Sequence, residues 1–380
     1  MGTLPPDPQG YLEEDEMMTP QSEAELADII AGANGPLCIE GGGTRGIEVP
    51  GERLRTGGLS GVTLYEPGAL TLVVQAGTPV SEIEALLATE NQRLAFEPVD
   101  FRSSLGTRGE PTIGGVVATN ASGPRRIQGG AARDFLLGVR FVDGRGEVLR
   151  NGGRVMKNVT GYDLVKLMAG SHGTLGVLTE VALKVLPRSE TEATLAVEEI
   201  DLAAGIACLS EALGSPFDVT GAAYDPNAQR AYVRLEGFEA SVAYRAKALR
   251  EQLGRYGAVT EVSGSGELWR GLRDLHDFAG LGGDIWRVSV KPTDAVDLIP
   301  TLGATRCLCD WGGGLVWALM PEGVDLRQRM TVPGHATLIR SGAGTSVPRH
   351  HPEAAPLAAI SAGLRRQFDP RHILNAGLMG

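Results

Sequence analysis

Hydrophobic and polar positions change their period several times along the first half of the chain. Leu26, Ile29 and Ile30 recur at helical spacing after Thr19-Pro20, a pair typical of a helix start. Short apolar runs that end in glycine turns are typical of strands. The predicted elements are a helix at about 20–33, strands at 36–40 and 71–76, a helix from 79, a short helix within 111–124, a hairpin of 136–142 and 147–150, a helix at 163–169 and a strand at 177–186. This pattern predicts a mixed α+β domain that ends near Pro187.

The elements after Arg188 follow a different order. Between residues 194 and 262 the pattern gives strand, helix, strand, strand, helix and strand, which is the split βαβ order of a ferredoxin-like sheet. Further strands are predicted at 285–290, 315–319 and 336–340, and a last helix at 354–368. The predicted parts of this α+β chain are a flexible N-terminus (1–18), a first domain (19–188), a cap domain (189–350) and a C-terminal helix with an arm that returns to the first domain (351–380).

Charge and composition exclude several classes of function. The formal net charge is -11, whereas nucleic-acid binding needs clustered positive charge. No stretch approaches the roughly 18 apolar residues of a membrane helix, so we expect a cytoplasmic protein that reaches the inner face of a membrane only through partners. The 4 cysteines form no disulfide framework or iron–sulfur run. Cys307 and Cys309 are interpreted as buried thiols, and no metal site is predicted.

Glycine is the residue type in excess, with 53 in 380 residues. Glycine lets a backbone approach a ligand closely, and consecutive N–H groups can then surround a phosphate. Clusters lie at 41–46, at 113–115 with polar residues up to 123, and at 173–176. Each cluster alone is also compatible with an ordinary turn. Three clusters on one domain favour a single extended ligand.

Five stretches carry a resemblance to a known family: 41–44, 112–124, 133–139, 155–163 and 173–177. They resemble the FAD-binding domain of the vanillyl-alcohol oxidase and p-cresol methylhydroxylase (PCMH) superfamily. Within it, the chain is similar to the FAD-binding E-subunit family of bacterial glycolate oxidase (glycolate dehydrogenase). The phrases more specific to that family are Ser122–Arg125, Val155–Asn158, Trp286–Ser289, Asp310–Gly313 and Gly334–Thr337. The resemblance implies a two-subdomain PCMH-type FAD-binding domain, a ferredoxin-like cap and a C-terminal arm.

The resemblance also implies residue roles in binding FAD. The diphosphate would be held by Gly41, Gly42, Gly43, Thr44, Arg45 and Gly46. The flavin and ribityl chain would be lined by Ile113, Gly114, Gly115, Thr119, Asn120, Ser122 and Gly123. Backbone groups of Gly173, Gly176 and Val177 would meet the cofactor, and Asn375 would lie on the returning arm, which reads Asn-Ala-Gly where the superfamily usually has Asn-Pro-Gly. Because no histidine precedes residue 172, covalent attachment at the first loop is excluded and non-covalent FAD is expected.

The substrate side of the site is predicted from the chemistry of a small hydroxy acid. Its carboxylate calls for Arg or Lys, and the proton acceptor is most naturally His. Arg287 and His335 are the candidate catalytic residues. Arg287 would share a strand face with Ile285 and Ser289, and the alternative is an ordinary solvated strand arginine. His335 is equally compatible with a structural turn, and His172 lies beside the third glycine cluster.

The resemblance implies an FAD-dependent oxidoreductase that oxidises glycolate to glyoxylate as one subunit of a glycolate dehydrogenase. The partners would be a D-type flavoprotein subunit and an iron–sulfur subunit that accepts the electrons. The D subunit carries a His-x-Gly-Asp-Gly run that this chain lacks; His350-His351 is interpreted as a surface loop. Three alternatives stay open: a stand-alone FAD-dependent dehydrogenase for D-lactate or a similar 2-hydroxy acid, a non-catalytic FAD relay or scaffold subunit, and a nucleotide-binding regulator that holds no flavin.

Overall fold

The structure, a computed structural model, describes residues 17–154, 161–342 and 345–379. The motif at 155–158 and most of the predicted N-terminal segment, residues 1–16, lie outside these ranges. The described chain forms two successive units of sheet and helix. The sheet changes after Pro187, where the chain leaves the first unit, and before Thr191, where the first strand of the second unit begins.

The first unit contains two subdomains. Its helices are α1 (Glu23–Gly32), α2 (Val80–Thr89), α3 (Arg102–Leu105), α4 (Ile113–Ala118), α5 (Arg126–Gly129), α6 (Ala132–Phe135) and α7 (Leu164–Met168). Its strands are β1 (Leu37–Glu40), β2 (Glu52–Arg55), β3 (Val62–Glu66), β4 (Thr71–Gln75), β5 (Gln92–Arg93), β6 (Leu136–Val142), β7 (Val148–Gly152), β8 (Val177–Lys184) and β9 (Leu186–Pro187). Strands β1 and β2 pair in parallel next to α1, and an antiparallel sheet has the order β3-β4-β8-β6-β7.

The first helix begins later than the sequence pattern predicted. It starts at Glu23 and not at Pro20, because the Ser22 hydroxyl accepts a hydrogen bond from the backbone N–H of Glu25 at 3.2 Å. The Glu25 carboxylate in turn accepts from the Gln21 backbone N–H at 2.7 Å. Leu26 and Ile30 then pack against Leu37 of β1 in the core of the smaller subdomain.

The second unit is built on one long antiparallel sheet. Its strands are β10 (Thr191–Val197), β11 (Val219–Asp225), β12 (Arg230–Gly237), β13 (Val259–Glu261), β14 (Asp284–Val290), β15 (Arg306–Asp310), β16 (Leu315–Met320) and β17 (Gly334–Arg340). Its helices are α8 (Leu202–Gly214), α9 (Glu239–Leu253), α10 (Ser265–Arg273) and α11 (Ala295–Leu302). The strand order is β13-β10-β12-β11-β15-β16-β14-β17.

This order contains the predicted ferredoxin-like sheet and continues it. Strands β13-β10-β12-β11 place the fourth, first, third and second strands of the βαββαβ unit side by side, which confirms the predicted ferredoxin-like cap. The following strands, β15-β16-β14-β17, repeat the arrangement in mirror order, with a short 3-10 turn at Leu326–Arg329 where the second helix would lie. The two halves join through the antiparallel pair β11 and β15.

The two faces of this sheet have different roles. Trp286 and Val288 point to the face that packs on the cap helices in the larger core. Ile285 and Trp317 point to the opposite face and pack with Val99 and Phe101 of the first unit. The second face therefore closes over the first unit and positions the cap side of the site.

The C-terminal segment returns to the first unit. Helix α12 (Ala355–Phe368) ends where Phe368 packs near Phe141 of β6, with ring centroids 6.1 Å apart. The arm then runs beside β1, since the Leu37 backbone N–H donates to the Ile373 carbonyl at 2.7 Å. Within the described ranges, no helix combines the length and the apolar character needed to cross a bilayer.

Candidate functional site

The first glycine loop, residues 41–46, leaves β1 with its backbone N–H groups unpaired. None of these six groups donates a hydrogen bond to the backbone of a described residue. The loop backbone packs directly on another segment, since a Cβ on Gly42 would lie 1.7 Å from the Glu110 carbonyl oxygen. Gly43 has φ +70°, which favours glycine. An exposed row of N–H groups of this kind can bind an anion.

Only part of the second glycine segment borders the cavity that the first glycine loop lines. Its residues Gly114, Gly115 and Thr119 line this cavity, together with Thr112 and Val116. Helix α4 begins after Thr112, whose hydroxyl accepts from the Gly115 N–H at 3.3 Å.

Four residues predicted to line the flavin are not among the residues that line this cavity. Ile113 is fully buried in the core of the first unit. The side chains of Asn120 and Ser122 accept backbone N–H groups of Arg133 and Ala132, which fixes the following loop. The Gly123 carbonyl accepts from Trp311 Nε1 of the cap at 3.2 Å. The structure places these four residues outside the cavity lining, where they hold the loop and the cap.

The third glycine loop and the C-terminal arm meet on the other side of β1. Gly173 has φ +74°, and the Asn375 amide donates to the His172 carbonyl at 2.9 Å. The oxygen of the Asn375 side-chain amide accepts a hydrogen bond from the Ile39 backbone N–H at 2.7 Å. Asn375 therefore ties the arm, β1 and the third loop together, and this geometry forms without a proline at position 376.

These segments enclose a cavity of about 880 Å³, part of which is open to solvent. Thirteen of the seventeen predicted cofactor residues line it: Gly41, Gly42, Gly43, Thr44, Arg45, Gly46, Gly114, Gly115, Thr119, Gly173, Gly176, Val177 and Asn375. Lining residues that the prediction lacked are Ile39, Glu40, Ile47, Thr56, Ala76, Pro111, Thr112, Val116, Ala118, His172, Leu178 and Leu378. Most of these are apolar residues that lie close to a glycine cluster in the sequence. That proximity is the feature of the sequence that could have predicted them as cavity residues.

Glu40 is the carboxylate that lines this cavity, and two arginines neutralise it. Arg53 and Arg55 each approach the same Glu40 oxygen at 2.9 Å. The carboxylate thus does not repel an anion bound at the adjacent loop. The walls combine free N–H groups at one end with aliphatic side chains such as Ile39, Val116 and Leu178.

Four arginines without carboxylate partners among the described residues lie where the cap sheet packs on the first unit, and one of them, Arg45, also lines the cavity. Arg45, Arg126, Arg287 and Arg349 form no ion pair with any described carboxylate. Burial lowers the pKa of Arg45 to about 10, although Asp100 and Asp274 oppose this. In a chain with net charge -11 this local excess of positive charge favours an anionic ligand.

Arg287 lies between the cap sheet and the first unit, and it is not a solvated strand arginine. Its guanidinium stacks over Trp311 at 5.2 Å, and Arg126 of the first unit stacks over the same ring at 4.8 Å. Burial, and then the neighbouring Arg126, lower the pKa of Arg287 to about 10. A half-buried guanidinium with these neighbours is available to a carboxylate.

His335 shares the Arg287 face but lies at the edge of the sheet. It pairs with Ser289 across β14 and β17, and β17 is the last strand in the sheet order. Partial burial, then Arg287 and His351, lower its pKa. His335 is exposed and does not line the cavity.

His350 is not part of a free surface loop. Its ring packs edge-to-face on His172, with centroids 4.8 Å apart. The neighbouring Arg349 donates to the carbonyls of Leu338 and Ile339 at 3.0 Å and 2.9 Å, which fixes the segment on the cap sheet. The interpretation of His350-His351 as a surface loop is therefore wrong for His350.

Comparison with known proteins identifies the family of the chain. A family model described as an FAD binding domain matches residues 15–152. The chain is 39% identical over 352 residues to the glycolate oxidase subunit GlcE of Escherichia coli (strain K12), covering 90% of this chain and 92% of that protein. The chain belongs to the GlcE family of glycolate oxidase subunits.

Other similarities to this GlcE-family chain are partial or structural. The glycolate oxidase subunit GlcD of Bacillus subtilis (strain 168) is 38% identical over 137 residues, 36% of this chain and 28% of that protein. A solved structure of alkyldihydroxyacetonephosphate synthase has a TM-score of 0.70 at 18% identity and covers 95% of this chain and 75% of that one. That likeness confirms the predicted FAD-binding PCMH-type fold and carries no statement on substrate.

The cavity of this GlcE-family chain fits FAD, the cofactor that the family model indicates. The unpaired N–H groups of residues 41–46 suit a diphosphate, and the aliphatic walls suit a planar ring system. Within the described ranges, no group of His, Cys, Asp and Glu side chains could hold a metal ion. Cys307 and Cys309 are buried, and burial raises the pKa of both thiols.

Asp310 gives this GlcE-family chain a pH dependence of stability that can be measured. Burial raises its pKa to about 7, although the Trp311 N–H donates to it at 2.7 Å. The folded protein then holds a proton between about pH 4 and 7 that the unfolded chain releases, so stability should fall as pH rises through this range. Replacing Asp310 with Asn should remove this slope in thermal unfolding measured from pH 4.5 to 8. The exposed Asp28→Asn variant should keep it; an unchanged slope in Asp310→Asn would contradict the assignment.

Proposed function

We propose that this chain oxidises glycolate to glyoxylate with FAD, as one subunit of a glycolate oxidase (glycolate dehydrogenase) complex. Membership of the GlcE family supports the reaction class. The observation that carries the proposal is the set of arginines without carboxylate partners in the described chain at the interface between the cap sheet and the first unit, whose cavity fits FAD: Arg45, Arg126, Arg287 and Arg349. Such a site selects a small anion such as a hydroxy acid.

The cavity residues would divide the FAD molecule between them. Residues 41–46 would bind the diphosphate through backbone N–H groups. Gly114, Gly115 and Thr119 would lie along the flavin and ribityl chain, while Gly173, Gly176, Val177 and Asn375 would close the opposite side. Bound FAD supplies the two-electron acceptor for this reaction. Ile113, Asn120, Ser122 and Gly123 would support this wall from behind.

The chain's own contribution to catalysis would be charge and position. Arg287, stacked on Trp311, would bind the substrate carboxylate and hold the hydroxyl-bearing carbon towards the cavity. Arg126 contacts the same Trp311 ring and adds a second positive charge near Arg287. His335 lies within electrostatic reach of Arg287 and would support the same anion from the sheet edge.

Anaerobic titration with glycolate tests the proposal on the FAD-loaded full chain, alone and with its partner subunits. Glycolate should bleach the flavin absorbance. Arg287→Met should raise the half-bleaching concentration by about 10- to 100-fold, because a charged hydrogen bond contributes about 1.5–3 kcal/mol. The exposed Arg366→Met should behave as the wild type. Bleaching that is independent of Arg287 would contradict its role.

The same titration separates the alternatives. Bleaching by D-lactate in preference to glycolate would support a stand-alone 2-hydroxy-acid dehydrogenase. Relatives named D-lactate dehydrogenase match only 48% and 23% of this chain, so they support this alternative less. Bleaching that needs the partner subunits would support an FAD relay or scaffold subunit.

The proposed assembly follows from the names of the relatives. GlcE and GlcD are both named as subunits of glycolate oxidase, which indicates a multi-subunit complex. We propose a D-type flavoprotein and an iron–sulfur protein as the partners of this chain, with the complex in the cytoplasm at the inner face of the membrane. Co-purification of the three proteins from cells expressing them together tests this arrangement.

A further inference from the structure

His172 is a cavity-lining side chain that the proposed function leaves without a role. Its φ is +51°, a conformation that is uncommon outside glycine. The backbone is held from both sides, because its N–H donates to the Ala118 carbonyl at 2.8 Å and its carbonyl accepts from Asn375 at 2.9 Å. Strained positions that are fixed in this way cluster at functional sites.

The two ring nitrogens of His172 have different surroundings. Nδ1 is enclosed and has no hydrogen-bond partner among the described residues. The ring packs against His350 at an interplanar angle of 74°, an arrangement in which an N–H can point at an aromatic face. Nε2 is not among the enclosed atoms without a partner, and because His172 lines the cavity we assign Nε2 as the nitrogen that faces it.

The charged groups that face His172 are His350 and Arg349 from the segment after β17 and Arg45 from the first glycine loop. Burial, followed by these groups, lowers the pKa of His172 to about 3. The imidazole is therefore neutral before substrate binds. A substrate carboxylate held by Arg287, in the same group of arginines, would offset the positive charge around His172, and the proton affinity of His172 would then rise.

We propose that Nε2 of His172 accepts the hydroxyl proton of the substrate, and that His350 positions the ring for this transfer. The inference rests on the proposed function and adds its proton acceptor. As the hydroxyl O–H bond breaks, its proton goes to Nε2 and the carbon–oxygen bond becomes a carbonyl. The hydrogen of the C–H bond leaves with both electrons to FAD, the oxidant. Binding of the anionic substrate thus raises the proton affinity of the residue that accepts its hydroxyl proton.

The first test measures anaerobic flavin bleaching by glycolate in the FAD-loaded chain, with partner subunits where the wild type needs them. His172→Gln keeps a hydrogen-bonding group of similar length but cannot take a proton. It should slow bleaching by about 100-fold or more, as expected for loss of a general base. The exposed His276→Gln is the matched control and should bleach at the wild-type rate. Equal rates in His172→Gln and the wild type would overturn the proposal.

The second test needs no turnover and uses oxalate, an anion that cannot be oxidised in this way. Oxalate binding is read from the flavin absorbance change between pH 5 and 8, above the pKa of about 3 that His172 has before binding. If binding places a proton on His172, the wild-type affinity should rise by up to tenfold per unit fall in pH below the pKa of the imidazole in the complex. His172→Gln should lose this dependence and His276→Gln should keep it. A dependence that persists in His172→Gln would overturn the proposal.

The role of His350 is tested by a conservative pair of variants. His350→Phe keeps an aromatic ring against His172, whereas His350→Ala removes it. If His350 positions the ring, the alanine variant should shift the pH profile of bleaching and the phenylalanine variant should restore it. Identical profiles in both variants would exclude the positioning role.

Failure of the inference and failure of the proposed function give different results. If glycolate never bleaches the wild type but oxalate binding keeps its dependence on His172, the proposed substrate fails and the proton acceptor stands. If glycolate bleaches the wild type and His172→Gln alike, the proposed substrate stands and His172 is not the proton acceptor. If both His172→Gln and His172→Asn lose FAD, the role of His172 is structural and the inference is overturned.

Discussion

Replacing Gly42 with alanine should weaken FAD binding by about 10- to 100-fold, since overpacking typically costs about 1–3 kcal/mol. The reason is contact inside the protein. A Cβ at this position would lie 1.7 Å from the Glu110 carbonyl oxygen and 2.7 Å from its carbon, both rigid backbone atoms. The first glycine loop would have to move away from residues 109–110, and its row of N–H groups would lose its alignment on the diphosphate.

Fluorescence titration of the apoprotein with FAD measures this effect directly. Gly68→Ala is the matched control, because a Cβ at position 68 would have no neighbouring atom within 4 Å and Gly68 does not line the cavity. It should bind FAD as the wild type does. Thermal unfolding of both apoproteins separates loss of the loop from loss of the fold. Wild-type affinity in Gly42→Ala would mean that the loop does not carry the diphosphate.

The glycine clusters were predictable because their backbone requirements are local. The positive φ at Gly43 and Gly173 is a property of a few adjacent residues. The close packing of Gly42 is not, because its neighbour is the distant Glu110. The partners of Asn120, Ser122 and Gly123 could not be predicted in this way. Their polar groups bind the backbone of α6 and Trp311 of the cap, partners that are distant in sequence or belong to the other unit. The sequence pattern indicates that such groups need partners, but not which ones.

The substrate side depended more strongly on long-range packing. Alternation predicted that Arg287 shares a face with Ile285, and the structure has this arrangement. Whether that face meets solvent or protein was not encoded in the strand itself, since Phe101 and Trp311 cover it from other parts of the chain. The contact between His172 and His350 likewise joins positions that are far apart in sequence.

The cap illustrates the same distinction. Its first half has helices α8 and α9 of 13 and 15 residues, and their length makes them recognisable in the sequence. The second half has a shorter helix, α11, and a 3-10 turn in place of the second helix. Only strand pairing shows that this half repeats the first in mirror order. Its strands were predictable, but their shared architecture was not.

The second large effect concerns a buried ionic network that joins the two units. Arg234 of β12 binds both carboxylate oxygens of Glu97, at 2.9 Å and 3.0 Å, and its side chain is 1% exposed. Arg125 binds Glu97 and Glu236 at 2.8 Å and 2.7 Å. Burial alone would raise the pKa of Glu97, but Arg234 and Arg125 outweigh it and hold that pKa below its usual value.

Arg234→Met should lower the free energy of unfolding by about 3–5 kcal/mol, the usual cost of removing one partner from a buried pair. Glu97 would keep its buried carboxylate but lose its bidentate partner, and the stacking of Arg234 on Trp269 would also be lost. Arg255→Met removes an exposed ion pair with Glu211 and should cost less than about 1 kcal/mol. Urea unfolding of the two variants against the wild type measures the difference.

The network also predicts the direction of a pH effect. Because the pKa of Glu97 is depressed in the folded state, its contribution to stability is complete above the ordinary glutamate range and is lost as pH falls through the folded-state value. Arg234→Met should therefore be less sensitive to acid than the wild type, while Arg255→Met should match the wild type. If both variants lose a similar amount of unfolding free energy at neutral pH, the network contributes no more than a surface ion pair. A large loss confined to Arg234→Met, accompanied by weaker FAD binding, would show that this junction holds the cap sheet over the flavin cavity.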